Sequence, residues 1–234
     1  MKCDIIAFAA HPDDVELGSS GTLLHHKALG KTIGIIDLTQ GQLGSRGTAE
    51  LRLKEAEKAA EILGLDVREN LGMEDGWFRN NPENVMQIAK MIRKYRPDIV
   101  LANATKDRHP DHGRASKIVS EAAFYSGLSK VNIEGLEAWR PRFVLHYIQD
   151  WHQNPDIVVD ISAHMDKKME AISAYGSQFY DPTSTEPTTP ISTKEFMEFI
   201  RCRAREMGRC IGVEYGEGFT VERPMGIHDL TTLA

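Results

Sequence analysis

Residues 3–10 read CDIIAFAA, and the polar sequence HPDD follows directly at 11–14. A short, mostly apolar run of this kind is typical of a buried parallel strand. Open α/β sheets place their active sites at the carboxyl ends of such strands. The arrangement recurs where the apolar run 98–104 (DIVLANA) is followed by DRHPDH at 107–112. We therefore predict that two strand ends, each carrying His and Asp, meet at one metal site.

The composition is that of an ordinary globular protein. The chain has 234 residues, of which 41% are hydrophobic and 26% charged, and its net charge is −6. This charge gives no reason to expect nucleic acid or an anionic membrane as a partner, and no apolar run is long enough to cross a bilayer. Cys3, Cys202 and Cys210 have no CxxC spacing, which argues against a disulfide framework or zinc ribbon. We expect a cytoplasmic protein.

Strands and helices alternate along the chain. Predicted strands at 3–10, 31–39, 66–71 and 98–104 are each followed by a helix, at 16–29, 49–63, 83–95 and 113–125. This order predicts right-handed crossovers and an α/β fold, a Rossmann-like three-layer sandwich whose mostly parallel twisted sheet carries helices on both faces.

The second half of the chain is predicted to extend the same domain. Two more strands are expected at 142–149 and 156–161, with a helix at 163–175 and a surface loop at 177–191. Ser192 and Glu195 form a capping-box pattern that opens a last helix, ending near Met207. We expect one domain, residues 1–234.

The two His/Asp clusters together fit a catalytic zinc site. Such a site usually has three protein ligands and an open fourth position, and His11, Asp14 and His112 would supply that set. Asp13 and His109 would remain free beside the metal, as general base and oxyanion stabiliser.

Some of these residues have more ordinary interpretations. A single His-Pro or Asp-Asp pair is typical of a turn, and only the joint occurrence after two strands favours a site. Asp111 could hold His109 in its charged form. Arg52 lies near a helix start, where the dipole disfavours a cation, and this favours a role with substrate.

At AHPDDVELGSSGT (10–22) and DRHPDH the sequence resembles the zinc-dependent N-deacetylases of the LmbE-like (PIG-L) family. The likeness extends to DLTQGQLGSRGT, LRLKEAEKAAEILG, RENLGMEDGWF, IRKYRPDIV and MEAISAYGSQF, which resemble the bacillithiol biosynthesis deacetylases. These stretches span most of the chain.

The resemblance implies a function for the candidate residues. His11, Asp14 and His112 would bind zinc, Asp13 would be the general base, and His109 the oxyanion stabiliser and acid. Asp111 would be the partner of His109. The positions that match substrate-binding residues of relatives are Arg52, Arg108 and Arg140. The implied reaction removes acetyl from N-acetylglucosaminyl-malate, whose two carboxylates suit arginine. The resemblance also implies a homo-oligomer, often a trimer-based hexamer.

Several alternatives remain open at this stage. The substrate could be another GlcNAc conjugate, a mycothiol-type precursor or a chitooligosaccharide, and the metal could be Zn, Fe, Co or Mn. A glycosidase using Asp13 and Asp14 is disfavoured, because adjacent residues are poorly placed to flank a bond from opposite sides. A non-catalytic sugar- or metal-binding protein would not need Asp13 and His109 free beside the metal.

Overall fold

The computed structural model describes residues 1–229 and 231. Its centre is a seven-stranded sheet with the order β3-β2-β1-β4-β5-β7-β6. The strands are β1 (Ile5–Ala9), β2 (Ile33–Thr39), β3 (Val67–Met73), β4 (Ile99–Ala102), β5 (Phe143–Tyr147), β6 (Ile157–Asp160) and β7 (Gly216–Val221). The helices are α1 (Asp14–Ala28), α2 (Ala49–Leu63), α3 (Pro82–Tyr95), α4 (Pro110–Ser126), α5 (Met165–Ser173) and α6 (Lys194–Cys210).

The sheet is parallel from β3 through β5, and β7 runs antiparallel to both β5 and β6. Helices α3 and α4 pack together on one face, whereas α1, α2 and α5 contact one another on the other. The predicted mostly parallel α/β sheet with helices on both faces is confirmed. Because β2 and β4 flank β1, the chain order reverses between β1 and β4, and this switch point is where such sheets bind ligands.

The N-cap of helix α6 lies one residue later than predicted. The Thr193 hydroxyl accepts a hydrogen bond from the Phe196 backbone N–H at 3.1 Å. Ser192 instead pairs with Thr189, whose backbone N–H donates to the Ser192 hydroxyl at 2.8 Å. The predicted capping box of Ser192 with Glu195 is therefore wrong, because the residue that follows Ser192 takes the capping position.

Strand β7 was not predicted from the sequence. Its residues, GEGFTV, include two glycines, which are depleted in strands. The structure explains them through close packing: a Cβ on Gly216 would lie 2.6 Å from Cγ1 of Val158, and one on Gly218 would lie 2.9 Å from the Met207 sulfur. The strand depends on contacts with β6 and α6 that a local pattern does not encode.

We expect Gly216→Ala to lower the free energy of unfolding by about 1–3 kcal/mol, the usual cost of overpacking. The added methyl would meet Val158 and also the Gly208 backbone nitrogen at 2.9 Å, which cannot rotate away. Urea unfolding measures the loss. Gly226→Ala is the control, since no atom of the described residues lies within 4 Å of a Cβ at that position. Equal stability of the two variants would contradict the packing explanation.

Candidate active site

The loop after β1 has an unusual backbone conformation at Asp13. This residue precedes α1 and has φ 118° and ψ −23°. A non-glycine residue in that region costs about 1–3 kcal/mol and is found mainly at functional sites. The Asp13 carboxylate, which is buried, receives a hydrogen bond from Arg52 Nη2. The surrounding contacts therefore hold a strained backbone in place at a predicted site residue.

The His11 ring lies between carboxylates on both sides. Its Nδ1 is 3.5 Å from Asp14 Oδ2. Its Nε2 is 3.0 Å from Asp75 Oδ1 and 3.2 Å from Asp111 Oδ2. With two acceptors at Nε2, the neutral ring carries its proton there and leaves the Nδ1 lone pair available. Burial disfavours the charged ring, but Asp111, Asp14 and Asp75 outweigh it and raise the pKa of His11 well above its usual range.

His112 has the same kind of environment with its nitrogens exchanged. Its Nδ1 lies 2.5 Å from Asp107 Oδ2, and its Nε2 lies 3.0 Å from Asp14 Oδ1. Asp107 therefore favours a proton on Nδ1, which in the neutral ring leaves the lone pair on Nε2. Burial opposes the charged ring, yet Asp14 and Asp107 raise the pKa of His112 to about 9.

Two amide side chains hold the carboxylate of Asp14. Asn103 Nδ2 donates to Oδ2 at 3.0 Å, and Gln149 Nε2 donates to Oδ1 at 3.0 Å. Their own oxygens are also bonded, since Asn103 Oδ1 accepts the Ala10 N–H and Gln149 Oε1 accepts from Asn103 Nδ2. Burial raises the pKa of Asp14, but His112 and His11 dominate and hold it well below its usual range. Asp14 is therefore an ionised ligand candidate with fixed orientation.

The environment of His109 differs from that of the other two histidines. Its ring centroid lies 4.6 Å from that of His11 and 5.2 Å from that of His112. His109 Nδ1 accepts the Asp111 backbone N–H at 3.2 Å, so the neutral ring carries its proton on Nε2. Burial and the neighbouring His11 and His112 lower the pKa of His109, which favours this neutral form. In this form Nε2–H is available as a hydrogen-bond donor.

Asp111 does not form the predicted ion pair with His109. Its carboxylate contacts His11 Nε2, the Gly76 N–H at 2.9 Å and Arg114 Nη1. Only its backbone N–H reaches His109. This prediction is wrong, because Asp111 lies in the first turn of α4 and its side chain points toward the turn after β3.

These residues fit a divalent metal. Among the described residues, two sets bring three potential ligand atoms within 4.8 Å of one another: His11 with His109 and His112, and His11 with Asp75 and Asp111. A metal binds the neutral form of each ring, and the hydrogen-bond partners favour neutral tautomers with the lone pair on His11 Nδ1 and on His112 Nε2, next to the Asp14 carboxylate. Two imidazoles and a carboxylate suit a catalytic zinc site.

We expect Gln149→Met to weaken metal binding by roughly 10- to 100-fold, the usual effect of losing a group that orients a ligand. The thioether would leave Asp14 Oδ1 without its amide donor. Competition with a chromogenic chelator measures the affinity. Gln153→Met is the control, because Gln153 is half-buried and bonds Lys106 O, outside the Asp14 contacts. Unchanged affinity in a folded Gln149→Met protein would contradict the orienting role.

Arg52 reaches the site from the first turn of α2. Its Nε donates to Pro12 O at 3.0 Å and its Nη1 to Gln178 Oε1 at 3.1 Å, while Nη2 pairs with Asp13. Burial raises the pKa of the Asp13 carboxyl and the charge of Arg52 lowers it, so that this pKa is about 7. Arg52 thus orients the candidate base from the wall of the cleft.

The two other predicted arginines have different locations. Arg108 lines the cleft and pairs with Asp150 at 2.6 Å. Arg140 lies in a separate groove, where Nη2 donates to Phe124 O at 3.0 Å and the guanidinium stacks on the Phe124 ring at 4.8 Å. Within one chain, the structure does not bring Arg140 to the other predicted site residues.

A cleft of about 280 Å³ opens over these groups. Its surroundings contain five side chains that the sequence interpretation did not assign: Asp75, Asn103, Asp107, Gln149 and Arg203. Asn103 and Gln149 lie at the carboxyl ends of β4 and β5, a position that could have pointed to them. Asp107 belongs to the second cluster and Asp75 to a turn. Arg203 had no local signal, because it lies within an ordinary amphipathic helix.

Comparison with known proteins places the chain in a family. The profile of the PIG-L family, described as GlcNAc-PI de-N-acetylase, matches residues 6–123. The chain is 30% identical to a diacetylchitobiose deacetylase of Thermococcus kodakarensis, over 92% of this chain and 81% of that protein. The chain belongs to the PIG-L deacetylase family.

Further relatives agree with this family and fold. A probable N-acetyl-alpha-D-glucosaminyl L-malate deacetylase 2 of Bacillus anthracis is 26% identical, over 72% of this chain and 78% of that protein. The crystal structure of a conserved protein from Thermus thermophilus superposes with a TM-score of 0.88 and 38% identity, covering 99% of this chain and 100% of that one. In the described part of this PIG-L chain, no helix is long and apolar enough to cross a membrane.

Proposed function

We propose that this PIG-L chain is a zinc-dependent hydrolase that removes the N-acetyl group from N-acetylglucosaminyl-malate. The observation that carries the proposal is the arrangement of histidines and aspartates in one cleft. His11, His112 and the carboxylate of Asp14 lie together, with Asp13, held by Arg52, and His109 beside them. Simple metal storage would need only the first three groups.

The metal would be held by His11, Asp14 and His112. A Zn²⁺ ion bound there supplies a Lewis acid that polarises a carbonyl and lowers the pKa of water. Iron, cobalt or manganese could occupy the same donor set.

Asp13 would act as the general base. Burial holds its carboxyl pKa at about 7 against the pull of Arg52, so near neutrality Asp13 can both accept and release a proton. The Arg52 hydrogen bond orients the carboxylate, and the strained backbone points it into the cleft. Asp13 would take the proton of the attacking water.

His109 would stabilise the tetrahedral oxyanion with its Nε2–H. A neutral imidazole cannot give up its only proton to the leaving amine, so in this form of the ring the amine would receive the proton that Asp13 takes from the attacking water. A preorganised donor in a partly buried site stabilises developing charge more than water does. The Asp111 backbone N–H fixes the ring orientation, which replaces the side-chain contact expected from the sequence.

Arginines support the malate assignment. Arg52 and Arg108 line the same cleft as the metal-binding groups, and guanidinium groups pair well with carboxylates. The similarity to a diacetylchitobiose deacetylase makes diacetylchitobiose the second candidate. A glycosidase mechanism is disfavoured, because both Asp14 oxygens contact amides and imidazoles. We further propose a cytoplasmic location and a homo-oligomer, the latter resting on the resemblance alone.

Acetate release from GlcNAc-malate, diacetylchitobiose and GlcNAc at equal concentration tests the proposal. We expect the malate conjugate to react fastest, with activity lost on chelation and restored by zinc. Faster hydrolysis of diacetylchitobiose would show that this disaccharide, and not GlcNAc-malate, is the preferred substrate. Activity that is insensitive to chelation would contradict the metal assignment.

A further inference from the structure

Arg203 lies on α6 and reaches the wall of the cleft. Its Nη1 donates to the backbone oxygen of Gln149, and its Nη2 donates to that of Leu17 at 2.8 Å. The guanidinium carbon lies 5.5 Å from the ring centroid of Phe199. Gln149 also donates to Asp14, so Gln149 connects Arg203 to a candidate metal ligand.

The partners of Arg203 differ from those of the other cleft arginines. Arg52 pairs with Asp13 and Arg108 with Asp150. Among residues 1–229 and 231, Arg203 forms no ion pair, and its hydrogen bonds go only to neutral carbonyl oxygens. A guanidinium has five N–H donors, so this arrangement leaves donors over for a ligand.

The buried acid Glu217 forms its ion pair with Lys168 and not with Arg203. Glu217 is 2.5 Å from Lys168 Nζ and also accepts the backbone N–H groups of Gly21 and Thr22. Lys168 donates in turn to Leu17 O, the oxygen that Arg203 contacts. Arg203, Lys168 and Glu217 thus form a group of two cations and one carboxylate. Burial lowers the pKa of Arg203, and the charges of Glu217, Asp150 and Asp107, none of which forms an ion pair with it among the described residues, offset this only in part.

Arg203 is partly buried, and a cation that is withdrawn from water without an ion-pair partner is costly unless an anion pairs with it. We propose that Arg203 binds a carboxylate of the group attached to the sugar and so determines the preference of this enzyme for acidic GlcNAc conjugates. This inference rests on the proposed deacetylase function and adds to it the residue that selects the substrate. Arg108, paired with Asp150 on the same cleft, would be a weaker anion site.

Kinetics of Arg203→Gln test the inference. Glutamine can still donate to a carbonyl but has no charge. With GlcNAc-malate we expect KM to rise roughly 10- to 100-fold, the usual effect of losing a charge-assisted hydrogen bond, with a smaller change in kcat. With neutral diacetylchitobiose we expect no more than about a twofold change in kcat/KM. Arg203→Lys should recover part of the loss.

The control is Arg205→Gln, two positions along the same helix. Arg205 is exposed, pairs with Glu214 at 3.3 Å and does not line the cleft. We expect it to behave as the wild type with both substrates. If Arg203→Gln lowers kcat/KM equally for the acidic and the neutral substrate, the role of Arg203 is structural and the inference is overturned. Unchanged kcat/KM for both substrates would also overturn it. Metal content measured in parallel distinguishes an effect on metal binding from an effect on substrate binding.

Binding of malate alone keeps the inference testable if GlcNAc-malate is not a substrate. Isothermal titration of the metal-loaded protein with malate should show saturable binding that weakens at least about tenfold in Arg203→Gln and is unchanged in Arg205→Gln. Malate binding that is absent from the wild type, or equal in all three proteins, would overturn the carboxylate site. Failure of the proposed function would appear only in the acetate-release assay.

Discussion

Asp13→Asn is expected to retain its metal and lose deacetylation by roughly 10²- to 10⁴-fold, the range that general-base catalysis usually contributes. Asparagine has nearly the same shape and tolerates positive φ better than most residues, so it suits the backbone at φ 118°. It cannot accept the proton of the attacking water. Steady-state acetate release gives kcat, and elemental analysis gives metal content.

The expected loss must be separated from damage to the Asp13–Arg52 pair. Asp166→Asn is the control, because it removes a carboxylate from an arginine pair, with Arg201, that is exposed. Thermal unfolding of both variants detects any general destabilisation. An Asp13→Asn enzyme with full metal and more than about a tenth of wild-type kcat would contradict the general-base role, since that loss is below the usual contribution.

The sequence was sufficient for the parallel part of the fold. Strand β1 is a continuous apolar run, β2 is mostly apolar, and α3 has a clear apolar face, so local patterns encode these elements. Strand β7 is different. Its glycines are required because β6 and the end of α6 pack closely against them, and such tertiary contacts leave no apolar period in the strand itself.

The candidate site divides in the same way. The sequence brought His11, Asp14 and His112 together because strand ends of a parallel sheet share one edge. It could not establish which carboxylate faces which ring nitrogen, since that depends on side-chain directions. Asp111 therefore faces His11 rather than His109. Arg203 shows the same limit, because its partners come from α1 and from the end of β5.

Replacing His112 by Ala is expected to remove the metal, with a loss of affinity larger than the roughly 100-fold upper range for a residue that only orients a ligand. In its neutral form His112 supplies an Nε2 lone pair, and the contact with Asp107 orients the ring. The remaining His11 and Asp14 would leave one protein ligand fewer than catalytic zinc sites usually have. Elemental analysis after dialysis against a weak chelator measures the metal retained.

Two further variants make this test specific. His152→Ala is the control, because His152 is an exposed histidine that lies 3.6 Å from Glu206, away from the cleft. His109→Ala distinguishes two candidate ligand sets: His11 and His112 with Asp14, or His11 and His112 with His109. If His109 is a hydrogen-bond donor, this variant should keep its metal and lose kcat, whereas a ligand would lose both. Normal metal content in His112→Ala, or metal loss in His109→Ala, would overturn the assignment drawn from the ring protonation.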